Sequence, residues 1–187
     1  MSGATMSLVA GPLIRPSTAA DVTPISHIYA HHVMQGTATF EITPPTAEEM
    51  ARRRDAILEE GLPYLVAESG GVVAGYAYTG LYRPRPAYRY TVEDSIYLHP
   101  DYLRKGIGKQ LLAELIRQCE LGRWRQMIAV VGDSANTASI RVHENAGFFH
   151  AGTFQSVGWK FGRWLDTVLM QRPLGAGDQL PAGTVEV

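Results

Sequence analysis

Apolar residues along this chain alternate between a spacing of three to four and a spacing of two, and the switches mark its elements. Leu13-Ile14-Arg15 starts as a short strand. Val22, Ile25, Ile28, Tyr29 and Val33 then recur at helical intervals, with Pro24 tolerated because it falls in the first turn. A second helix is expected after Pro44-Pro45. Thr46 is its N-cap, Glu48 and Glu49 sit near its positive end, and Gly61 stops it. Residues 64–68 and 72–78 are β-rich and separated by Ser69-Gly70-Gly71, which predicts a hairpin.

Residues 81–88 hold two consecutive Arg-Pro pairs, too proline-rich for an element interior, so they read as a loop carrying Arg83 and Arg85. A strand follows over 90–98. Leu111, Leu112, Leu115, Ile116 and Cys119 define one buried face of a third helix. The continuous apolar run 127–131 predicts a strand buried on both faces. Ser134-Ala135-Asn136-Thr137 can cap a helix running to Ala146 and stopped by Gly147, and residues 148–154 and 164–171 read as a final strand pair. The pattern describes one mixed αβ domain over 13–173, with about seven strands and about four helices. Residues 1–12 and 174–187, rich in glycine and small side chains, are expected to be flexible.

Bulk properties narrow the function classes. A chain of 187 residues suits a single domain able to bury its core without metal or disulfide help. Hydrophobic content of 45% and a net charge of −1 fit a soluble protein and lack the basic excess of a nucleic-acid binder. The one cysteine, Cys119, lies on the apolar helix face and reads as a core thiol. With no membrane-length apolar run and no basic leader, neither a membrane nor a nucleic-acid partner is expected, and the location expected is the cytoplasm. His27 and His31 have i,i+4 spacing but no companion ligand, so no metal is expected.

The chemistry concentrates between residues 96 and 121, where an apolar strand runs through a basic glycine turn into an amphipathic helix. Gly106 and Gly108 let backbone approach an anion, and the free N–H groups opening the helix point at it. Arg104, Lys105 and Lys109 add positive charge around the turn. A nucleoside-triphosphate loop is disfavoured because Gln110 follows Gly108-Lys109 and Leu103 replaces the first glycine. The dinucleotide fingerprint fails as well, since Leu111 occupies its third glycine position.

This turn, Asn136-Thr137-Ala138-Ser139 and Glu144-Asn145-Ala146-Gly147-Phe148 together resemble the GCN5-related N-acetyltransferase family over about residues 13–173. Within it, Thr37-Ala38-Thr39-Phe40-Glu41, Thr91-Val92-Glu93, Arg141-Val142-His143-Glu144 and the run Lys160-Phe161-Gly162-Arg163-Trp164-Leu165-Asp166 look most like the phosphinothricin and methionine sulfoximine acetyltransferases. The resemblance implies a mostly antiparallel twisted sheet flanked by helices, acetyl-CoA as cosubstrate, and a homodimer. It implies that the backbone of Ile96, Tyr97 and Leu98 bonds the pantetheine arm as an added strand. It implies further that Leu103, Arg104, Lys105, Gly106, Ile107, Gly108 and Lys109 wrap the diphosphate. Leu103 departs from the Gln or Arg usual in relatives and can offer only its backbone. Asn136 and Ser139, with His143 two helical turns beyond Asn136, would line the thioester end.

An amine attacks a thioester only after losing its proton, and the oxyanion that forms needs a donor. Glu93 is the expected general base; Asp94 should point to the opposite face and is the weaker candidate. A backbone N–H at Tyr97 or Leu98 is the expected oxyanion donor. His143 stands where many relatives carry a tyrosine, and acid and base roles are both open to it. For the acceptor, the resemblance implies a small amino acid with a tetrahedral or sulfone-like side-chain end; Phe40 would be a wall of its pocket, Arg83 or Arg85 could clamp a carboxylate, and Tyr78, Tyr90 and Lys160 are further candidates. Trp159, Phe161 and Trp164 read as packing, with a subunit seam as one place for it. Peptide N-terminal acetylation and non-catalytic acyl-CoA binding are the competing functions.

Overall fold

A computed structural model describes residues 11–182. Seven strands form one sheet: β1 (Leu13–Pro16), β2 (Tyr64–Ser69), β3 (Val72–Leu81), β4 (Thr91–Leu98), β5 (Gln126–Gly132), β6 (Phe149–Lys160) and β7 (Arg163–Pro173). Their order is β1-β2-β3-β4-β5-β7-β6, and every pairing is antiparallel except β4 with β5. Four helices accompany them: α1 (Val22–Gln35), α2 (Ala47–Glu59), α3 (Ile107–Glu120) and α4 (Thr137–Asn145).

Helices cover both faces of the β2–β4 half, which explains why these strands read as nearly unbroken apolar runs. On one face Tyr64, Val66, Tyr76 and Tyr97 meet Ile25, Ile28, Tyr29 and Val33 of α1 and Met50 of α2. On the other, Leu65, Ala67 and Ala77 meet Ile107, Leu111 and Leu115 of α3. The period-2 alternation of β2 therefore feeds two separate cores. Leu112, Ile116 and Cys119 continue the α3 face onto Val92, Met127 and Met170.

Local chemistry sets the element ends. The Thr46 hydroxyl accepts from the Glu49 N–H at 3.2 Å, closing the first turn of α2. Gly61 and Gly147 adopt φ of +71° and +86° after α2 and α4, the left-handed stop expected of each. β6 and β7 are longer than expected because Phe161 and Gly162, both at positive φ, turn the chain in two residues between paired Lys160 and Arg163.

Two expectations need correction. β5 is not buried on both faces: Met127, Ala129 and Val131 are buried while Val130 is 39% exposed, where it lines a cleft. Leu174, assigned to the tail, is fully buried against the α3 face of the sheet. Of the segments 1–12 and 174–187 expected to be flexible, residues 1–10 and 183–187 lie outside the described residues.

Candidate active site

β4 and β5 pair only from Thr91–Gln126 to Asp94–Ala129, although β4 continues to Leu98 and β5 to Gly132. Beyond that point the two parallel strands separate, and a cleft of about 480 Å³ opens between them. Ser95, Ile96, Tyr97 and Leu98 form one wall, and Val130, Val131 and Gly132 the other. His32 and Ala38 reach the cleft from one side of the sheet, and Asn136, Ser139 and His143 from the other. The opening is thus lined by residues from both sides of the sheet.

The hydrogen-bond phase of β4 decides which main-chain groups line it. Tyr82 N–H donates to Thr91 O at 3.2 Å, and His99 N–H donates to Ala74 O at 2.9 Å. The register between β3 and β4 is unbroken between those bonds, so odd-numbered residues of β4 face β3 and even-numbered ones face the cleft. The main chain of Ile96 and Leu98 is therefore presented to a ligand. Tyr97 corrects the sequence expectation: its backbone is consumed in the ladder opposite Tyr76, and its ring is buried against Tyr29 at 5.0 Å. The Leu98 carbonyl accepts from His32 Nε2 at 2.8 Å, a contact the sequence did not suggest. Burial holds that imidazole below its ordinary pKa, which suits a neutral donor.

At the cleft mouth, Arg104 and Gly106 take positive φ (60° and 77°), turning the chain so that α3 starts aimed at the opening. Leu103, Arg104, Gly106, Ile107, Gly108 and Lys109 all line the cleft. The N–H groups that open α3 have no helical acceptor of their own. Lys105 turns aside, its ammonium over the Tyr102 ring at 4.6 Å. A Cβ on Gly108 would stand 3.5 Å from Leu98, ordinary contact distance, so packing does not require a glycine here. Asn136 caps α4 by accepting from Ser139 N–H at 3.2 Å, which aims the start of that helix at the cleft.

His143 is buried on α4, with its ring edge-on to Phe148 at 5.1 Å. Its Nδ1 lies 2.8 Å from Ser139 O and its Nε2 lies 3.0 Å from Asp94 Oδ2. Burial pulls the ring's pKa down, but the hydrogen bond and charge of Asp94, aided by Ser139 O, outweigh it and leave the value raised. A ring donating from both nitrogens is an imidazolium. Both ring nitrogens are engaged by protein oxygens, so the acid or base role left open by the sequence would require one of these bonds to break.

Glu93 projects from the opposite face of β4, toward α1 and α2. Burial is the first cause raising its carboxyl above the ordinary value, Asp94 adds to the rise, and Arg83 opposes it. Tyr78 shares this face, bonded to Ser95 and held above the ordinary tyrosine value by burial. Between the two loop arginines, Arg83 is the one whose charge acts on Glu93; Arg85 is exposed at the start of a short 3₁₀ turn. Phe40 lies over Gly132 and Gly158, where an added Cβ at either would collide with the loop or the ring. It thus packs beside Gly132, a residue of the far wall of the opening.

Two expected substrate contacts move elsewhere. Tyr90 precedes β4 at the end away from the opening, under the Arg89 guanidinium at 4.6 Å. Lys160 is 4% exposed and its ammonium donates to Gly36 O at 2.8 Å and Thr39 O at 2.7 Å, so it anchors the loop that carries Phe40.

The profile of the Acetyltransferase (GNAT) family matches residues 27–148. The chain belongs to the GNAT family. It is 59% identical over 158 residues to a phosphinothricin N-acetyltransferase of Alcaligenes faecalis, covering 84% of this chain and 80% of that one. An L-methionine sulfoximine/L-methionine sulfone acetyltransferase of Salmonella typhimurium is 39% identical over 161 residues, covering 86% and 94%. Among solved structures, a GNAT superfamily phosphinothricin acetyltransferase from Sinorhizobium meliloti, crystallised with acetyl-CoA, superimposes with a TM-score of 0.90 at 47% identity. That match covers 92% of this chain and 94% of the other. The seven-stranded sheet expected of a GNAT member is the one observed.

Proposed function

We propose that this enzyme transfers the acetyl group of acetyl-CoA to the amine of a small amino acid of the phosphinothricin, methionine sulfoximine or methionine sulfone type, with Glu93 as general base. The observation that carries the reading is the opening through the sheet between β4 and β5, with the start of α3 lining it on one side and a desolvated carboxyl on the other. The acceptor class is supported by the names of the relatives above.

The diphosphate of the coenzyme sits against the N–H groups of Ile107, Gly108 and Lys109, with Arg104 and Lys109 supplying charge. The pantetheine arm extends β4 through the main chain of Ile96, beside the Leu98 carbonyl that His32 holds. The acceptor approaches from the α1 and α2 face, with Phe40 as a wall and Arg83 for its carboxylate. Glu93 takes a proton from the ammonium, directly or through water, and the freed lone pair forms the C–N bond. The oxyanion draws on the Leu98 N–H, the donor that the phase of β4 selects over Tyr97. The C–S bond then breaks and its electron pair leaves on sulfur.

The test follows free thiol while acetyl-CoA is mixed with a panel of amino acids and peptides. Thiol release with phosphinothricin or methionine sulfoximine is expected; release with peptides alone, or binding without release, overturns the reading. Glu93→Gln is expected to lower kcat by about 10²-fold or more with little change in the KM for acetyl-CoA. Unchanged turnover removes Glu93 from the mechanism. The reading includes a cytoplasmic homodimer joined through the exposed aromatics of β6 and β7; among the described residues, no helix is long and apolar enough to cross a membrane.

A further inference from the structure

We infer that Asp94 is a positioning residue: by accepting from His143 Nε2 while Ser139 O accepts from Nδ1, it fixes that ring as a cation on the coenzyme side of the cleft. This rests on the acetyl-transfer reading and adds to it a division of labour across β4. Glu93 handles the amine's proton on one face; Asp94 and His143 form a fixed ion pair on the other, whose imidazolium lines the cleft where charge passes from oxyanion to departing sulfur.

The geometry makes Asp94 unusual. Its side chain is 2% exposed, yet the only hydrogen bond it receives among the described residues comes from His143, and Oδ1 has no partner. A buried carboxylate with one free oxygen is costly unless a cation offsets it. The cation present is His143, itself 6% exposed at the side chain. The remaining titratable groups that act on this pair are Cys119 of α3, whose thiol burial pushes up to about 11, and Glu93 behind the strand. The thiol is neutral at working pH, so the charge of Asp94 is met by the ring alone.

With both N–H groups committed, the ring neither removes the amine's proton nor delivers one as the C–S bond breaks. It lowers the barrier by electrostatics. The proton taken by Glu93 passes to solvent, the electron pair of the C–S bond stays on sulfur, and the released thiolate takes a proton from solvent. The products are the amide and the free thiol.

Asp94→Asn tests this because an amide fits the same space and can donate to a neutral Nε2. In the full-length enzyme, the His143 ring protons followed by NMR are expected to titrate at lower pH than in wild type. kcat at pH 8 is expected to fall by about 10- to 100-fold with the KM for acetyl-CoA within about threefold. Lowering the pH should restore part of the loss, and Asp94→Glu should retain more activity than Asp94→Asn. The double variant Asp94→Asn/His143→Gln should be no slower than His143→Gln alone, since both changes remove one device. An unshifted His143 titration, or additive losses in the double variant, overturns the assignment. The titration reads the ring without any turnover, so an enzyme inactive toward amino acids would sink the acceptor reading and leave this one standing or falling by itself.

Discussion

A half-buried carboxyl and a buried lysine show how differently a charge can be used within one domain. Glu93 is desolvated, and burial raises its pKa. A base must be unprotonated to work, so activity is lost as pH falls through that raised value. The acid limb of kcat/KM is therefore expected above about 4.3, the ordinary glutamate value, and should disappear in Glu93→Gln; a pH–rate profile checks both. Lys160 is more deeply buried but takes no part in proton transfer, because two carbonyls of the 36–39 turn hold its ammonium. Lys160→Met leaves both carbonyls unsatisfied. It should cost about 2–4 kcal/mol in urea unfolding, and it should raise the acceptor KM because Phe40 loses its anchor. Little change in either would return Lys160 to the role of substrate contact.

At the level of elements, the glycine turn separates conformational need from spatial need. Gly106 has φ of +77°, where a side chain is strained whatever the space, while Gly108 lies in regular helix with room for a Cβ. Gly106→Ala should lower stability by about 1 kcal/mol and raise the KM for acetyl-CoA; Gly108→Ala should leave unfolding unchanged and raise the KM alone. Denaturation and initial-rate measurements on the two variants distinguish them. The turn was legible because its residues are contiguous, and so were the α3 face and the caps at Thr46 and Asn136. The separation of β4 from β5 was not, since it depends on strands whose pairing partners lie far apart in sequence. Nor was Asp94: alternation correctly sends it to the face opposite Glu93, but only an opening that passes through the sheet makes both faces chemically useful. Lys160 escaped for the same reason, as its carbonyl partners are more than 120 residues away.

At the scale of the molecule, the two halves of the sheet are unequally covered. Helices bury both faces of β2–β4, whereas the outer β6–β7 hairpin leaves Phe149, Phe154, Val157, Trp159, Phe161 and Trp164 each 53–60% exposed. Trp159 and Trp164 face each other across the hairpin at 5.1 Å between ring centroids, adding an aromatic pair to that surface. So much apolar area gathered on one hairpin is what an association surface requires, and a lone chain would hold it against water at a cost. The same hairpin carries Gly158 beneath Phe40 and Lys160 beneath the 36–39 turn, so anything that fixes β6 also fixes one wall of the opening. Trp159→Glu/Trp164→Glu is therefore expected to shift sedimentation from dimer to monomer and to raise the acceptor KM several-fold, while the KM for acetyl-CoA, set on the far side of the sheet, stays near wild type. A wild-type enzyme that sediments as a monomer at micromolar concentration would refute the seam. A monomeric variant with an unchanged acceptor KM would uncouple it from the active site.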